Sequence, residues 1–224
     1  MSTIYLIGDS TCQTNFEDTY PQIGWGQVFP GYVKDDYKVI NLAKNGRSTK
    51  SFRDEGLFDP CKENIKKGDY LFIEFGHNDE KKEDPTRYTD PFGKYQENLL
   101  YFINTARNTG ATPVLLSPIY RRHFDENGKI KDNVHLNYPE AVKQLAEKEG
   151  VIYIDMCELT KRYLSKLGDE ASKDLFMNFA PGLYPNYPDG KNDNTHFREK
   201  GAKMVCDILT QELKKNEITS VLLK

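Results

Sequence analysis

The sequence has no long apolar run, a single tryptophan, four cysteines, four histidines and no marked excess of either charge. Each shortage excludes something. A membrane-spanning helix needs about 20 consecutive apolar residues, and no stretch supplies them. Thirty-one Lys and Arg against 34 Asp and Glu give a net charge of −3. That balance offers no basic face for phosphates, so no nucleic-acid partner is expected. Cys12, Cys61, Cys157 and Cys206 are scattered and form no CxxC pair, which argues against a disulfide framework or a zinc site. Cys12 lies two residues beyond Ser10, yet nothing beside it would sustain a thiolate. No basic segment or apolar stretch precedes Ile4. The expectation is therefore no signal peptide, no membrane anchor and a cytoplasmic location, or a secreted one if a leader has been trimmed away.

What is present is an ordinary globular composition, 38% hydrophobic and 29% charged over 224 residues, enough for one domain spanning residues 1–224 with a continuous core. Five apolar runs read as strands: Ile4–Ile7, Lys38–Leu42, Tyr70–Phe75, Pro113–Ser117 and Val151–Asp155. The third and fourth are nearly continuous, as strands covered on both faces are. Helical periodicity fills Lys94–Asn108, Pro139–Glu149 and Glu199–Lys215. Strands alternating with helices predict an α/β fold, a parallel sheet covered on both faces. Two segments break the rhythm. Arg121–Val134 is polar, with the turn signal Asp125-Glu126-Asn127-Gly128, and reads as a hairpin or protruding loop. Phe179–Asn194, rich in Pro, Tyr, Asn and Gly, reads as a long irregular loop.

Four short polar signatures follow in order: Gly8-Asp9-Ser10-Thr11, Asn45-Gly46-Arg47-Ser48, Gly76-His77-Asn78-Asp79 and Asp193-Asn194-Thr195-His196. The first three follow the first three predicted strands, on the rim where open α/β sheets bind ligands. Together they supply the parts of a serine esterase. Ser10 is the candidate nucleophile, His196 its base and Asp193 the carboxylate that orients the base. The oxyanion donors are the N–H groups of Ser10 and Gly46 and the amide of Asn78. Each has a plainer alternative. Gly8–Thr11 could be a strand-to-helix turn, Asn45-Gly46 a common turn dipeptide, and Asp193 or Asn194 a cap for the last helix. His77, His123 and His135 compete as the base; His77 reads better as a support for the Asn78 loop, and Asp9 as a support for the nucleophile turn.

These four blocks resemble those of the SGNH, or GDSL, hydrolase superfamily, from Gly8 to Gly201. The resemblance implies a flavodoxin-like three-layer α/β/α sandwich with strand order 2-1-3-4-5. Within the superfamily the chain is most similar to bacterial rhamnogalacturonan acetylesterases. Gly24-Trp25-Gly26-Gln27, Arg121-Arg122-His123-Phe124-Asp125 and Asp193-Asn194-Thr195-His196-Phe197 add to the likeness. The implied partner is an acetylated oligosaccharide, with no cofactor; the oligomeric state is left open. Galacturonate is anionic, so Arg47, Arg121 and Arg122, with Lys44 nearby, are candidate substrate contacts. His77 and Tyr184 are further candidates, Tyr184 as a stacking ring, as Tyr187 could be.

Competing readings keep some of these parts. An acetylesterase of xylan type, or a generic short-chain esterase or lipase, would keep the same residues and differ in acyl or carrier preference. A metal-dependent phosphoesterase could use Asp9, His77, Asp79, Asp193 and His196 as ligands, but would leave Ser10 without a task. A carbohydrate-binding protein that kept the fold would be indifferent to loss of Ser10.

Overall fold

A computed structural model describes residues 1–224. Its main sheet has five strands, all parallel: β1 (Ser2–Gly8), β2 (Tyr37–Asn41), β3 (Tyr70–Glu74), β4 (Thr112–Leu116) and β5 (Ile152–Ile154). They lie in the order β2-β1-β3-β4-β5. The chain leaves β1 for β2 on one side and returns to β3 on the other. This reversal opens a crevice at the carboxyl ends of β1 and β3. The helices are α1 (Trp25–Val28), α2 (Thr49–Asp54), α3 (Asp59–Asn64), α4 (Gln96–Thr109), α5 (Tyr138–Glu149), α6 (Met156–Leu167), α7 (Asp169–Ser172), α8 (Glu199–Leu213) and α9 (Glu217–Ser220).

Alternation along the strands divides the core in two. Ile4 and Leu6 of β1 face one way and pack, with Phe72 and Val114, against Trp25, Met156, Val205 and Leu209 of α1, α6 and α8. Tyr5 and Ile7 face the other way and join Leu71, Ile73 and Leu115 against Phe52, Phe102 and Leu145 of α2, α4 and α5. Helices on both faces make the expected three-layer α/β/α sandwich. The apolar runs of β3 and β4 are continuous because each of their faces meets one of these layers.

Two elements depart from the sequence reading. Val151–Asp155 does not run through as a strand, because Asp155 accepts a hydrogen bond from the Glu158 N–H at 3.1 Å and caps α6. The segment expected to be an irregular loop contains half of an antiparallel hairpin, β6 (Phe176–Phe179) with β7 (Lys191–Phe197). Asn and Asp are poor strand formers, so Lys191-Asn192-Asp193-Asn194 carries no strand signal of its own; pairing with β6 supplies the order. Residues 180–190 remain a loop. The polar Arg121–Val134 segment holds a tight reversal, with Asp125 Oδ1 accepting from the N–H groups of Asn127 and Lys129 and a bridge joining Phe124 to Ile130. No helix is long and apolar enough to cross a membrane.

Phe102 is fully buried, with ring centroids 4.7 Å from Phe58 and 6.0 Å from Phe75. Phe102→Ala should cost roughly 3–5 kcal/mol of stability, read as a lower midpoint in urea denaturation. Activity per folded molecule should be retained, because Phe102 does not line the rim cleft described next.

Candidate active site

The chain leaves β1 in a tight turn whose centre is Asp9. Its Oδ1 accepts from the Thr11 N–H at 3.0 Å and from the Thr11 hydroxyl at 2.9 Å. The same Thr11 hydroxyl lies 2.7 Å from Oε2 of Glu74, at the end of β3. One hydroxyl has a single proton, so it cannot donate to both carboxyls. Glu74 resolves this. Burial, together with the charge of Asp9, pushes its carboxyl well above the ordinary range, which favours the protonated form that can donate to the Thr11 oxygen. On the far side of Asp9, Oδ2 is 3.2 Å from Nδ1 of His77. Burial works against the Asp9 charge, but His77 and the two Thr11 donors outweigh it and hold the carboxyl below its usual value. Burial lowers His77 to about 4, so its ring is neutral at neutral pH. Asp9 Oδ2 and His77 Nδ1 lie close together, and neither makes a hydrogen bond.

Ser10, in the middle of that turn, meets His196. Its Oγ is 2.9 Å from Nε2 of the imidazole, whose Nδ1 is 2.7 Å from Oδ2 of Asp193. The expected capping of the last helix by Asp193 or Asn194 does not occur: α8 begins after Arg198. Both residues of the pair lie on β7, in a bulge. Phe197 sits opposite Phe176 and Asp193 opposite Met177, which leaves residues 194–196 outside the ladder. Asp193 Oδ1 closes the bulge by accepting from the N–H groups of Thr195 at 2.8 Å and His196 at 3.0 Å. One carboxylate thus bends the strand and orients the ring. Burial opposes its charge, and these bonds overcome that to hold the carboxyl at about 2.

Gly46 and Asn78 flank the serine. Gly46 has φ of +74°, and a Cβ there would meet nothing nearer than an Arg87 nitrogen at 3.9 Å. Glycine is therefore required by backbone conformation rather than by crowding within the chain. The Asn78 amide is held at both ends. Its Nδ2 donates to the Arg47 carbonyl at 3.0 Å, and its Oδ1 accepts from Nη1 of Arg87 at 3.3 Å. A second Nδ2 hydrogen remains free for a ligand.

These groups border a cleft of about 390 Å³ whose lining contains no hydrophobic side chain. His77 and Arg121 of the candidate contacts line it. Arg121 is also a clamp, donating to Thr195 Oγ1 at 2.8 Å, to the His77 carbonyl at 3.2 Å and to Glu80 at 2.8 Å. The other candidates lie elsewhere. Arg122 is buried and spent on Asn194, Ser172 and Asp169, so it braces the bulge from behind. Tyr184 packs edge-on against Phe179 and Tyr20 and lines a separate recess. Arg47 grips its own turn and Glu55 and lies in a groove beyond Gly46. Of the competing histidines, His135 is enclosed by Glu80 and the Ile119 carbonyl.

Arg87 and Glu74 were missed from sequence. Arg87 stands in a polar stretch with no motif, and Glu74 sits inside an otherwise apolar strand; only their contacts reveal them. Four free cysteines are buried, and burial pushes the Cys12 thiol well up. Asp9, Glu74 and His77 bring ligand-type atoms within 4.8 Å of one another. Within this cluster Asp9 Oδ2, Glu74 Oε1 and His77 Nδ1 are buried without a hydrogen-bond partner. Asp79 is not part of it: its carboxylate is enclosed by Thr49 and Thr89.

Residues 6–204 match the GDSL-like Lipase/Acylhydrolase family. The chain belongs to that family. It is a serine carboxylic ester hydrolase by that membership. It is 44% identical over 208 residues to rhamnogalacturonan acetylesterase RhgT of Bacillus subtilis, covering 93% of this chain and 88% of the relative. The crystal structure of Bacillus subtilis YxiM superposes with a TM-score of 0.81 at 27% identity; the match covers 96% of this chain but only 56% of that one. Axe2, an acetylxylan esterase from Geobacillus stearothermophilus, shares the fold with a TM-score of 0.65 at 15% identity, covering 94% and 93% of the two chains.

A carboxyl held at about 2 in the fold, against an ordinary 3.8, adds stability above about pH 4 that is lost as the pH falls through 2. The shift corresponds to roughly 2 kcal/mol. The stability difference between wild type and Asp193→Asn should therefore shrink by about that amount between pH 5 and pH 2, measured by chemical denaturation.

Proposed function

We propose that the protein is a carbohydrate O-acetylesterase that removes acetyl groups from rhamnogalacturonan-derived, pectic saccharides. The observation that carries this is the cleft's wholly polar lining around the Ser10–His196–Asp193 chain. Ligand pockets are usually lined by apolar side chains, and a long acyl chain would need such a wall. A hydroxyl-rich sugar bearing a two-carbon ester does not. The relative named rhamnogalacturonan acetylesterase supports the choice of sugar.

In the proposed mechanism Ser10 Oγ attacks the acetyl carbonyl carbon while His196 Nε2 takes the hydroxyl proton. Asp193 keeps the Nδ1 proton of the ring pointed away from the serine and stabilises the imidazolium. The carbonyl oxygen, now an oxyanion, is received by the N–H groups of Ser10 and Gly46 and the free Nδ2 hydrogen of Asn78. As the tetrahedral centre collapses, the sugar oxygen leaves with the proton from His196, and Ser10 carries the acetyl group. Water then gives a proton to His196 and attacks the acetyl carbon. The second collapse returns that proton to Ser10 and releases acetic acid, which ionises at neutral pH.

Acetate release from acetylated rhamnogalacturonan and, in parallel, acetylated xylan tests the reading. Release from the pectic polymer that vanishes in Ser10→Ala and His196→Ala is expected. Ser10-dependent release from xylan alone would keep the mechanism and overturn the substrate. Asn78→Ala should lower kcat about a hundred- to a thousand-fold with an unchanged denaturation midpoint. Unaltered kcat would remove Asn78 from the oxyanion site.

A further inference from the structure

Next to the cleft, and sharing Gly46 and Arg87 with it, lies a groove of about 610 Å³ that also has no hydrophobic lining. Three cations reach it: Arg47, Lys50 and Arg87. Two are already matched by carboxylates, Arg47 by Glu55 at 2.7 Å and Arg87 by Asp84 at 2.6 Å. Lys50 is not. Its ammonium donates to the Pro85 carbonyl at 2.6 Å and has no carboxylate partner, so two of its three protons are unspent. Arg87 uses Nε on Asp84 and Nη1 on Asn78, which leaves Nη2 unspent as well.

The walls of the groove are anchored from below. Thr49, the neighbour of Lys50, donates its N–H at 3.1 Å and its hydroxyl at 2.5 Å to the buried Asp79 carboxylate. Thr89, two residues after Arg87, donates to the same carboxylate at 2.7 Å. The Tyr138 hydroxyl lies 2.8 Å from the Asp79 carbonyl and 2.6 Å from that of Thr89, and its single proton serves one of them at a time. Lys50 and Arg87 thus project from segments fixed to one buried group, as a built binding site requires.

We infer that this groove is a subsite for a carboxylate-bearing sugar, a uronate unit of the same saccharide whose acetyl group occupies the cleft. The inference rests on the pectic reading above. A uronate there would accept from Lys50 and the open side of Arg87, and its hydroxyls would find Thr86, Asp54 and Glu55. Because Arg87 also holds the Asn78 amide, a filled groove would press on the same guanidinium that orients the proposed oxyanion donor. A neutral sugar would leave the Lys50 charge without a partner, so the site discriminates by charge as well as by shape.

The test is a ratio: kcat/KM on an acetylated rhamnogalacturonan oligosaccharide over kcat/KM on the same oligosaccharide with its carboxyls methyl-esterified. Using a ratio cancels any loss of folded enzyme in a variant. Wild type should favour the free acid, with a preference that weakens as salt rises. Lys50→Ala should lower the ratio on the order of ten-fold, the scale of one charge-assisted hydrogen bond, and Lys50→Arg should restore most of it. A ratio in Lys50→Ala within two-fold of wild type would overturn the subsite. If neither oligosaccharide is cleaved while 4-nitrophenyl acetate is hydrolysed in a Ser10-dependent way, the pectic reading fails on its own. The groove is then judged by calorimetric binding of trigalacturonate to Ser10→Ala. Binding weakened by adding Lys50→Ala upholds an anion subsite, and no binding, or binding indifferent to Lys50, overturns it.

Discussion

The arrangement of the rim depends on how a single carboxylate, that of Asp193, is satisfied. Its two oxygens do different work. Oδ1 takes the N–H groups of Thr195 and His196, which lets three residues leave the β6–β7 ladder without orphaned donors. Oδ2 takes Nδ1 of His196. An imidazole on an unbulged strand would stand perpendicular to the hairpin, and its own carboxylate neighbour two or four residues away would be needed to hold it. Here the turn that presents the ring and the group that orients it are one structure, so the Nε2 lone pair is delivered to Ser10 without a separate brace. Arg121 and Arg122 then act on the bulge rather than on the ring, through Thr195 and Asn194 respectively.

Beneath the rim, the fold places ionisable groups where water cannot reach and settles each by a different means. Asp9 is held below its usual value by the nearby His77 ring and the two Thr11 donors, against the effect of burial. Burial, and after it the neighbouring charge of Asp9, push the Glu74 carboxyl well above its ordinary range. His77 stays neutral for want of solvent. Thr11, bonded to both Asp9 and Glu74, joins the ends of β1 and β3, with the His77 ring packed beside Asp9. The proposed nucleophile comes from the first of these strands and the Asn78 amide from the loop after the second. Their spacing is therefore fixed by buried hydrogen bonds and not by the mobility of two separate loops.

Strand identity and a sheet covered on both faces were legible in the sequence, because apolar runs such as Tyr70–Phe75 and Pro113–Ser117 carry their own signal; the strand order came from the family resemblance alone. The candidates Ser10, Gly46, Asn78, Asp193 and His196, each in a short polar block, are brought around one cleft, the first three beyond strand ends and the last two within β7. What was not legible depends on contact. The strand β7 is made by its partner, since Asn and Asp favour turns when alone. Arg122 and Tyr184 look from sequence like surface groups suited to a sugar, yet one is buried behind the bulge and the other packs among rings beside a different recess. A charge in the sequence says nothing about which carboxylate will claim it. Arg87 illustrates the converse: its nearest motif lies several residues away, and its bond to Asn78 exists only because the Asp84–Pro85 turn folds the segment back.

The same point about claimed charges explains why a cleft with several cations can still be selective. Arg121 is neutralised by Glu80, Arg47 by Glu55 and Arg87 by Asp84, so none presents an uncompensated field to a passing anion. Their guanidinium groups are geometric pieces, holding Thr195, the Asn45 carbonyl and the Asn78 amide in place. A rim built of free cations would bind any polyanion and would hold it alike at every carboxylate. Two lysines are left without a carboxylate, Lys81 in the cleft and Lys50 in the groove, so charge is presented at these two places on the rim. Gly46 and Arg87 are common to the cleft and the groove, so the two lie side by side on the rim and share one guanidinium.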